Sequence, residues 1–296
     1  MRGTATRKTA KPGRLTGKTS AGDAFRRCLA ASRQSLLRLE ARSDALDTAT
    51  VHHFRTTVRR MRSLLSAFKE VLPPGRRKAF CDRLKEVSQR YAALREWDVL
   101  IRALTEDAAA GDRGRLAAVA AAAKQRRHAA AARHSALRDH IRAIERGIAA
   151  APWLRGPMPG ETELWNRPIE DFARDLLKRQ RRKIREGARG LDLCDPESFH
   201  NFRIVAKKHR YTIEFLTPLY GKKATRRYLE RLVAIQDVLG DLRDALGARE
   251  LVAKLRLPPE SRTPAAHWLG RRGIDRRAPV AHCLKAFAEE PAFWEK

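Results

Sequence analysis

The second half of this 296-residue chain repeats the first at a constant offset of 148 residues. Arg26, Leu29, Arg33 and Leu36 recur as Arg174, Leu177, Arg181 and Ile184. His52, Phe54, Arg55, Arg59, Arg60 and Arg62 recur as His200, Phe202, Arg203, Lys207, Lys208 and Arg210. The offset still holds at Arg83-Leu84 with Arg231-Leu232, and at Leu94-Arg95-Glu96 with Leu242-Arg243-Asp244. One offset kept over so long a stretch is the mark of internal duplication, and its period is too long for a solenoid. The same structural unit must therefore be built twice.

That unit is helical. Phe54, Val58, Met61, Leu65 and Phe68 step by four, three, four and three, and Phe80, Leu84, Val87, Tyr91 and Leu94 resume the rhythm after Pro73-Pro74-Gly75, which predicts a helical hairpin. No run of alternating apolar and polar residues is long enough for a sheet. An Ala-rich stretch from about Asp112 to Ala151 predicts one long helix, and Pro152 to Gly160 breaks the chain at its midpoint. The expected fold is all-α: two pseudo-symmetric four-helix bundles, about residues 22–151 and 161–290, joined by a linker at 152–160 and facing one another in one domain. Residues 1–21 read as a flexible basic tail. Within it Gly13-Arg-Leu-Thr-Gly17-Lys18-Thr19 imitates a phosphate loop, but three residues separate the glycines where the motif needs four. Residues 258–296, with Trp268, Phe287 and Trp294, are expected to pack on the second bundle.

Lys and Arg number 63 against 34 Asp and Glu, a net charge of +29. Such a chain repels itself and calls for an anion, yet nucleic acid, an acidic membrane surface and any other polyanion satisfy the long-range attraction equally. No stretch approaches the ~18 apolar residues of a membrane span, and the N-terminus has no apolar secretory core, so a cytoplasmic protein is expected. Cys28, Cys81, Cys194 and Cys283 are scattered and form no CxxC pair, as reduced thiols do; neither a disulfide framework nor a zinc site is expected.

Placement says more than composition. On a wheel of about 100° per residue with His52 at zero, Arg55, Arg59 and Arg62 fall near −60°, −20° and −80°, a narrow stripe. His200, Arg203, Lys207 and Arg210 repeat it, while Arg60 and Lys208 fall near +80°, away from it. The apolar positions centre about a quarter turn from the stripe, so the basic face flanks the core and can line a groove or central channel. Like charges three and four residues apart destabilise a helix by about 0.2–0.5 kcal/mol per pair. A solvated face is the ordinary reading of such a run. Its repetition 148 residues later, undiluted by acid in either copy, instead favours a bound polyanion. In the first helix of each half, Arg174, Lys178, Arg181 and Arg185 follow one face, with Arg26 and Arg33 as partial counterparts.

The histidines do not form a metal site: His52 and His53 are adjacent, and His128, His134 and His140 recur at a six-residue spacing that scatters them around a helix. Neither His52 nor His200 has the carboxylate or nucleophile in its stripe that a catalytic base would need. A ring beside arginines is suited to donating a hydrogen bond to a phosphate oxygen.

The segments Val51–Arg62 (VHHFRTTVRRMR) and Phe199–Tyr211 (FHNFRIVAKKHRY) resemble the doubled H-x-x-R-x-x-x-[RK]-[RK]-x-R signature of CHAD domains, the conserved-histidine α-helical domains. Ile235–Asp244 (IQDVLGDLRD) is similar to a second family hallmark, with Leu94–Asp98 (LREWD) as a looser first-half version. The resemblance spans about residues 22–290. It implies paired four-helix bundles around a basic channel that binds inorganic polyphosphate, often with targeting to polyphosphate granules. The implied ligands are His52, Arg55, Arg59, Arg60, Arg62, His200, Arg203, Lys207, Lys208 and Arg210. Glu161-Thr-Glu163-Leu-Trp165 lacks the Lys of the ExExK motif found in the CYTH triphosphatase domains often fused to this family, so no triphosphate hydrolysis, catalysis or cofactor is expected. Two other readings compete. Nonspecific nucleic-acid binding would use the same charge, but Tyr211 is the single aromatic beside the stripes for base stacking. A metal-dependent polyphosphate-processing enzyme would need carboxylates, for which Asp237, Asp241 and Asp244 serve better as caps or braces to arginines.

Overall fold

The computed structural model describes residues 13–43, 46–133, 137–157, 162–272 and 277–295. Among these residues the structure is helical, with no strand beyond a single antiparallel bridge between Ser20 and Pro168. In chain order the helices are α1 (Ala21–Glu40), α2 (Thr48–Ala67), α3 (Pro74–Arg90), α4 (Ala92–Thr105), α5 (Ala110–Arg113), α6 (Ala117–Ala131) and α7 (Leu137–Ala149). After the midpoint come α8 (Thr162–Asn166), α9 (Ile169–Arg189), α10 (Pro196–Tyr220), α11 (Lys222–Ala253), α12 (Pro259–Arg272) and α13 (Arg277–Ala288).

The helix bounds keep the 148-residue offset. α1 and α9 start at Ala21 and Ile169, α2 and α10 at Thr48 and Pro196, and α3 and α11 at Pro74 and Lys222; α4 and α11 end at Thr105 and Ala253. Matching caps set two of these starts: Asp47 accepts from the Thr50 N–H at 2.6 Å, and Asp195 from the N–H groups of Glu197 and Ser198, both at 3.0 Å. One difference separates the copies. The first is interrupted at Tyr91, between α3 and α4, whereas α11 runs unbroken through the corresponding Leu239. Tyr91 is buried with its ring edge-on to Phe54 at 5.3 Å, and its hydroxyl meets His140 Nδ1 of α7 at 2.8 Å.

The Ala-rich stretch does not form one long helix. It divides into α5, α6 and α7 because its ends serve different cores: Val119 and Ala123 of α6 pack with α4, whereas Ile141 and Ile144 of α7 join the cluster around α1 and α3. A straight rod could not reach both. His134 lies outside the described residues. The larger apolar cluster stacks Phe68 against Phe25 of α1 at 5.7 Å and Phe172 of α9 at 5.0 Å. The smaller joins Trp97 and Leu100 of α4 to Leu251 of α11 and Trp268 of α12. Each cluster draws on both halves of the chain, so neither is divided at 152–160.

Residues 13–20 are packed rather than loose. Leu15 and Thr19 are buried, and the Thr19 carbonyl accepts from Ile169 N at 2.9 Å, tying the segment to the start of α9. Residues 1–12 and the last three residues of the proline–glycine linker, 158–160, lie outside the described residues, as does Glu161. At Gly22 a Cβ would stand 2.1 Å from the Trp165 indole of α8, so this close approach requires glycine. Near the C-terminus α13 packs on α11, as expected, while α12 touches both α11 and α6.

Candidate anion-binding site

The duplicated signature helices α2 and α10 pack against one another. Arg60 pins the crossing: it forms an ion pair with Glu214 and lies over the rings of Tyr211 and Phe215 at 5.3 and 5.1 Å. Arg210 approaches the other oxygen of Glu214 at 3.4 Å and stacks on Tyr211 at 5.0 Å. Arg60, one of the implied ligands, is therefore engaged by protein groups.

Beside this crossing opens a pocket of about 310 Å³ bounded by α2, α4, α10 and α11. His52, Arg55 and Arg59 line it from α2 and Lys207 from α10; α4 adds Arg95 and Glu96, α11 adds Arg243, Asp244 and Glu250, and Lys254 follows just past the end of α11. Three facing pairs are related by the offset: Arg59 with Lys207, Arg95 with Arg243, and Glu96 with Asp244. Arg203 stands next to it, over the Phe199 ring at 5.7 Å and within the electrostatic reach of Asp244, Arg243 and Arg59.

Crowding of cations leaves its mark on the proton equilibria. Burial, then the charges of Arg59, Arg203 and Arg210, pushes the Lys207 ammonium down to about 7, against a partial opposing pull from Asp244. Enclosure of the His52 ring at the rim, then Arg95, His53, Arg59 and Arg102, pushes it down to about 4. Burial and Arg59 lower Arg55 to about 10, which leaves it charged at neutral pH. Arg95 and Arg203 are also lowered, with burial the leading cause. Asp244 moves the other way: burial raises it although Arg203, Arg102 and Arg95 surround it. Buried donors also stand without acceptors among the described residues: Nε of Arg55, Nε of Arg62 and Nη1 of Arg203. Of these, Arg55 lines the pocket, its Nη1 donating to the Ser88 carbonyl, and Arg203 stands beside it; an unmet guanidinium N–H at a cationic pocket fits an anion.

The remaining expected ligands lie elsewhere. His200 is exposed in the first turns of α10 and does not line the pocket. Arg62 and Lys208 sit towards α3, beyond the pocket. The outer helices supply none of its lining. Arg26 pairs with Asp23 and Arg33 with Glu145; Arg174 pairs with Asp171 at 3.2 Å, and Arg181 donates to the Glu290 carbonyl at 2.7 Å. Lys178 and Arg185 are exposed on α9. The α1 and α9 cations expected as ligands thus lie away from this pocket, with Arg26, Arg33, Arg174 and Arg181 engaged in pairs or contacts of their own. Arg95 and Arg243 line the pocket and lie on the repeat itself, but were not among the expected ligands. Asp98 of the LREWD segment is buried and held by Arg127 at 3.0 Å and Thr48 at 2.9 Å, a joint between α4, α6 and α2. Asp237 lies in a different groove on α11. Among the described residues no group of three His, Cys, Asp or Glu side chains is placed to hold a metal ion, and no helix is long and apolar enough to cross a membrane.

The CHAD domain family model matches residues 24–253, from α1 to the end of α11. The chain belongs to the CHAD family. The match stops short of α12 and α13. The crystal structure of the CHAD domain from the plant Ricinus communis superposes with a TM-score of 0.75 at 26% identity, covering 96% of this chain and 97% of that one. PptA from Streptomyces chartreusis shares the fold, with a TM-score of 0.61 at 21% identity over 94% of this chain and 100% of that one. No curated protein matches the sequence. Both CHAD signature helices, α2 and α10, and all four walls of the pocket fall within the matched span.

Proposed function

We propose that this CHAD protein binds inorganic polyphosphate in the pocket between α2, α4, α10 and α11. In this reading the two halves act as pseudo-symmetric four-helix bundles, and the pocket is part of a basic channel between them. The observation that carries it is the lining itself. Duplicated cations, Arg59 with Lys207 and Arg95 with Arg243, face one space, and orphaned guanidinium N–H groups stand beside it. Guanidinium forks and an ammonium group suit the closely spaced oxygens of a phosphate chain, and displaced counterions drive the affinity. Binding requires no chemistry, so the protein acts as a polyphosphate-binding module, in the cytoplasm and at polyphosphate granules. A pocket of about 310 Å³ has no room for a duplex, whose recognition uses a groove about 12 Å wide to seat a projecting element.

The test is a titration with long-chain polyphosphate, single-stranded RNA and duplex DNA at equal phosphate concentration and several salt levels. Polyphosphate is expected to bind at least ten-fold more tightly than either nucleic acid. Equal affinity for all three would overturn the reading in favour of a nonspecific polyanion binder. Release of phosphate during incubation with a divalent metal would instead make the protein an enzyme.

A further inference from the structure

The first half of α11 carries a face that the anion site does not use. Lys222, Thr225, Leu229, Val233 and Asp237 recur every three or four residues and, with Thr217 of α10, line an open groove of about 560 Å³. Leu229 leans on the main core, while Val233 and Ala234 are half-buried along the groove. The repeat does not require this apolar character. At the positions 148 residues earlier, α3 carries Arg77, Cys81 and Lys85 in place of Thr225, Leu229 and Val233. The face is also balanced in charge within a chain of net +29. Lys222 and Arg226 begin it, Glu230 and Asp237 follow, and Arg226 approaches Glu230 at 3.9 Å.

We propose that this face of α11 joins two copies of the chain across a twofold axis, as a weak antiparallel helix pair. The order of its residues selects that partner. Lys222 stands at one end and Asp237 at the other, about 22 Å apart along the helix. A twofold axis between Leu229 and Glu230 sets Lys222 of each copy against Asp237 of the other and Thr225 against Ala234, and the two Leu229 side chains meet beside the axis. A parallel copy would oppose Lys222 to Lys222 and Asp237 to Asp237. One helix face on each side falls at or below the ~1,000 Å² of a stable interface, so the dimer dissociates in the micromolar range. Salt acts on it in an unusual direction. Two chains of net +29 repel at long range, the exposed ion pairs contribute little, and the apolar contact needs no charge. Screening the repulsion therefore strengthens the dimer, whereas it weakens polyphosphate binding. The proposal stands apart from the polyphosphate reading, which holds for a monomer and a dimer alike.

The experiment is sedimentation equilibrium of the full chain, stripped of polyanions, over about 10–300 μM and at about 0.15 and 1 M sodium chloride. A monomer–dimer equilibrium is expected, with the dimer tighter by about five-fold or more at the higher salt. V233E and D237K are each expected to weaken it by about ten-fold or more while helicity, read by circular dichroism, is kept. The charge swap K222E/D237K should regain most of what D237K loses, a recovery that a variant which merely misfolds would not show. A monomer at every concentration would overturn the proposal and leave the groove to a different protein. A dimer indifferent to V233E, or a D237K loss that the swap does not restore, would place the contact elsewhere and overturn it too. So would a dimer that dissolves as salt rises, the behaviour of chains bridged by residual polyanion.

Discussion

Neighbouring signature cations meet different fates. Arg60 is half-buried between two aromatic rings and a carboxylate, while Lys207 faces like charges around a pocket. Arg60→Ala would leave Glu214 with the glancing contact to Arg210 as its remaining partner. It is expected to lower stability by about 1–3 kcal/mol, read as a shift of the urea midpoint, and to reduce polyphosphate affinity less than Arg59→Ala does. For Lys207 the sign follows from its depressed pKa of about 7. Unfolding restores the ordinary value, so below that value the unfolded state binds more protons and Lys207 penalises the fold increasingly as pH falls towards 7. A bound polyanion raises the pKa again. Affinity should therefore rise by up to about tenfold per pH unit as pH falls from 10 to 7, and then level until His52, held down to about 4, begins to protonate. Calorimetric titration at pH 8 in two buffers of different ionisation enthalpy should report uptake of close to one proton per site. Zero uptake, or release, would contradict this account of the pocket.

Each helix was legible where its own pattern sufficed. The periods of Phe54 to Phe68 and Phe80 to Leu94 and the fixed offset foretold α2, one helix after it and their copies; that second helix breaks at Tyr91 into α3 and α4, whereas its copy α11 runs through, and the helix bounds keep the offset. Periodicity within a helix gives a direction around its axis but not the neighbour lying in that direction. For this reason equally regular stripes end in different places: His52, Arg55, Arg59 and Lys207 line the pocket, whereas Arg26, Arg33 and Arg181 meet other groups. Arg95 and Arg243 stood on the repeat, yet only the packing of α4 and α11 places them beside the stripes. The break of the Ala-rich stretch was illegible because alanine suits a continuous helix and the two cores that divide it are tertiary. Phe68 links α1 and α9 through its ring contacts. Phe68→Ala is expected to destabilise the protein by about 3–5 kcal/mol in denaturant unfolding. A loss below about 1 kcal/mol would mean that the two halves do not depend on this stack.

For the molecule as a whole, the net charge of +29 is an electrostatic strain that a polyanion relieves. Polyphosphate at a hundred times its dissociation constant should stabilise the fold by about 2.7 kcal/mol, seen as a raised melting temperature that falls back as salt rises. Bulk charge alone predicts some of that response for any polyanion, so it does not locate the site. The decisive measurement is polyphosphate affinity, at fixed salt and pH 7, of a variant with Arg55, Arg59, Arg203 and Lys207 all replaced by Ala. That change removes four of the protein's 63 Lys and Arg residues. If the duplicated stripes bind the chain, helicity survives and affinity falls by about a hundred-fold or more. An affinity within about threefold of the unaltered protein would show the stripes to be solvated faces and the pocket not to be the binding site.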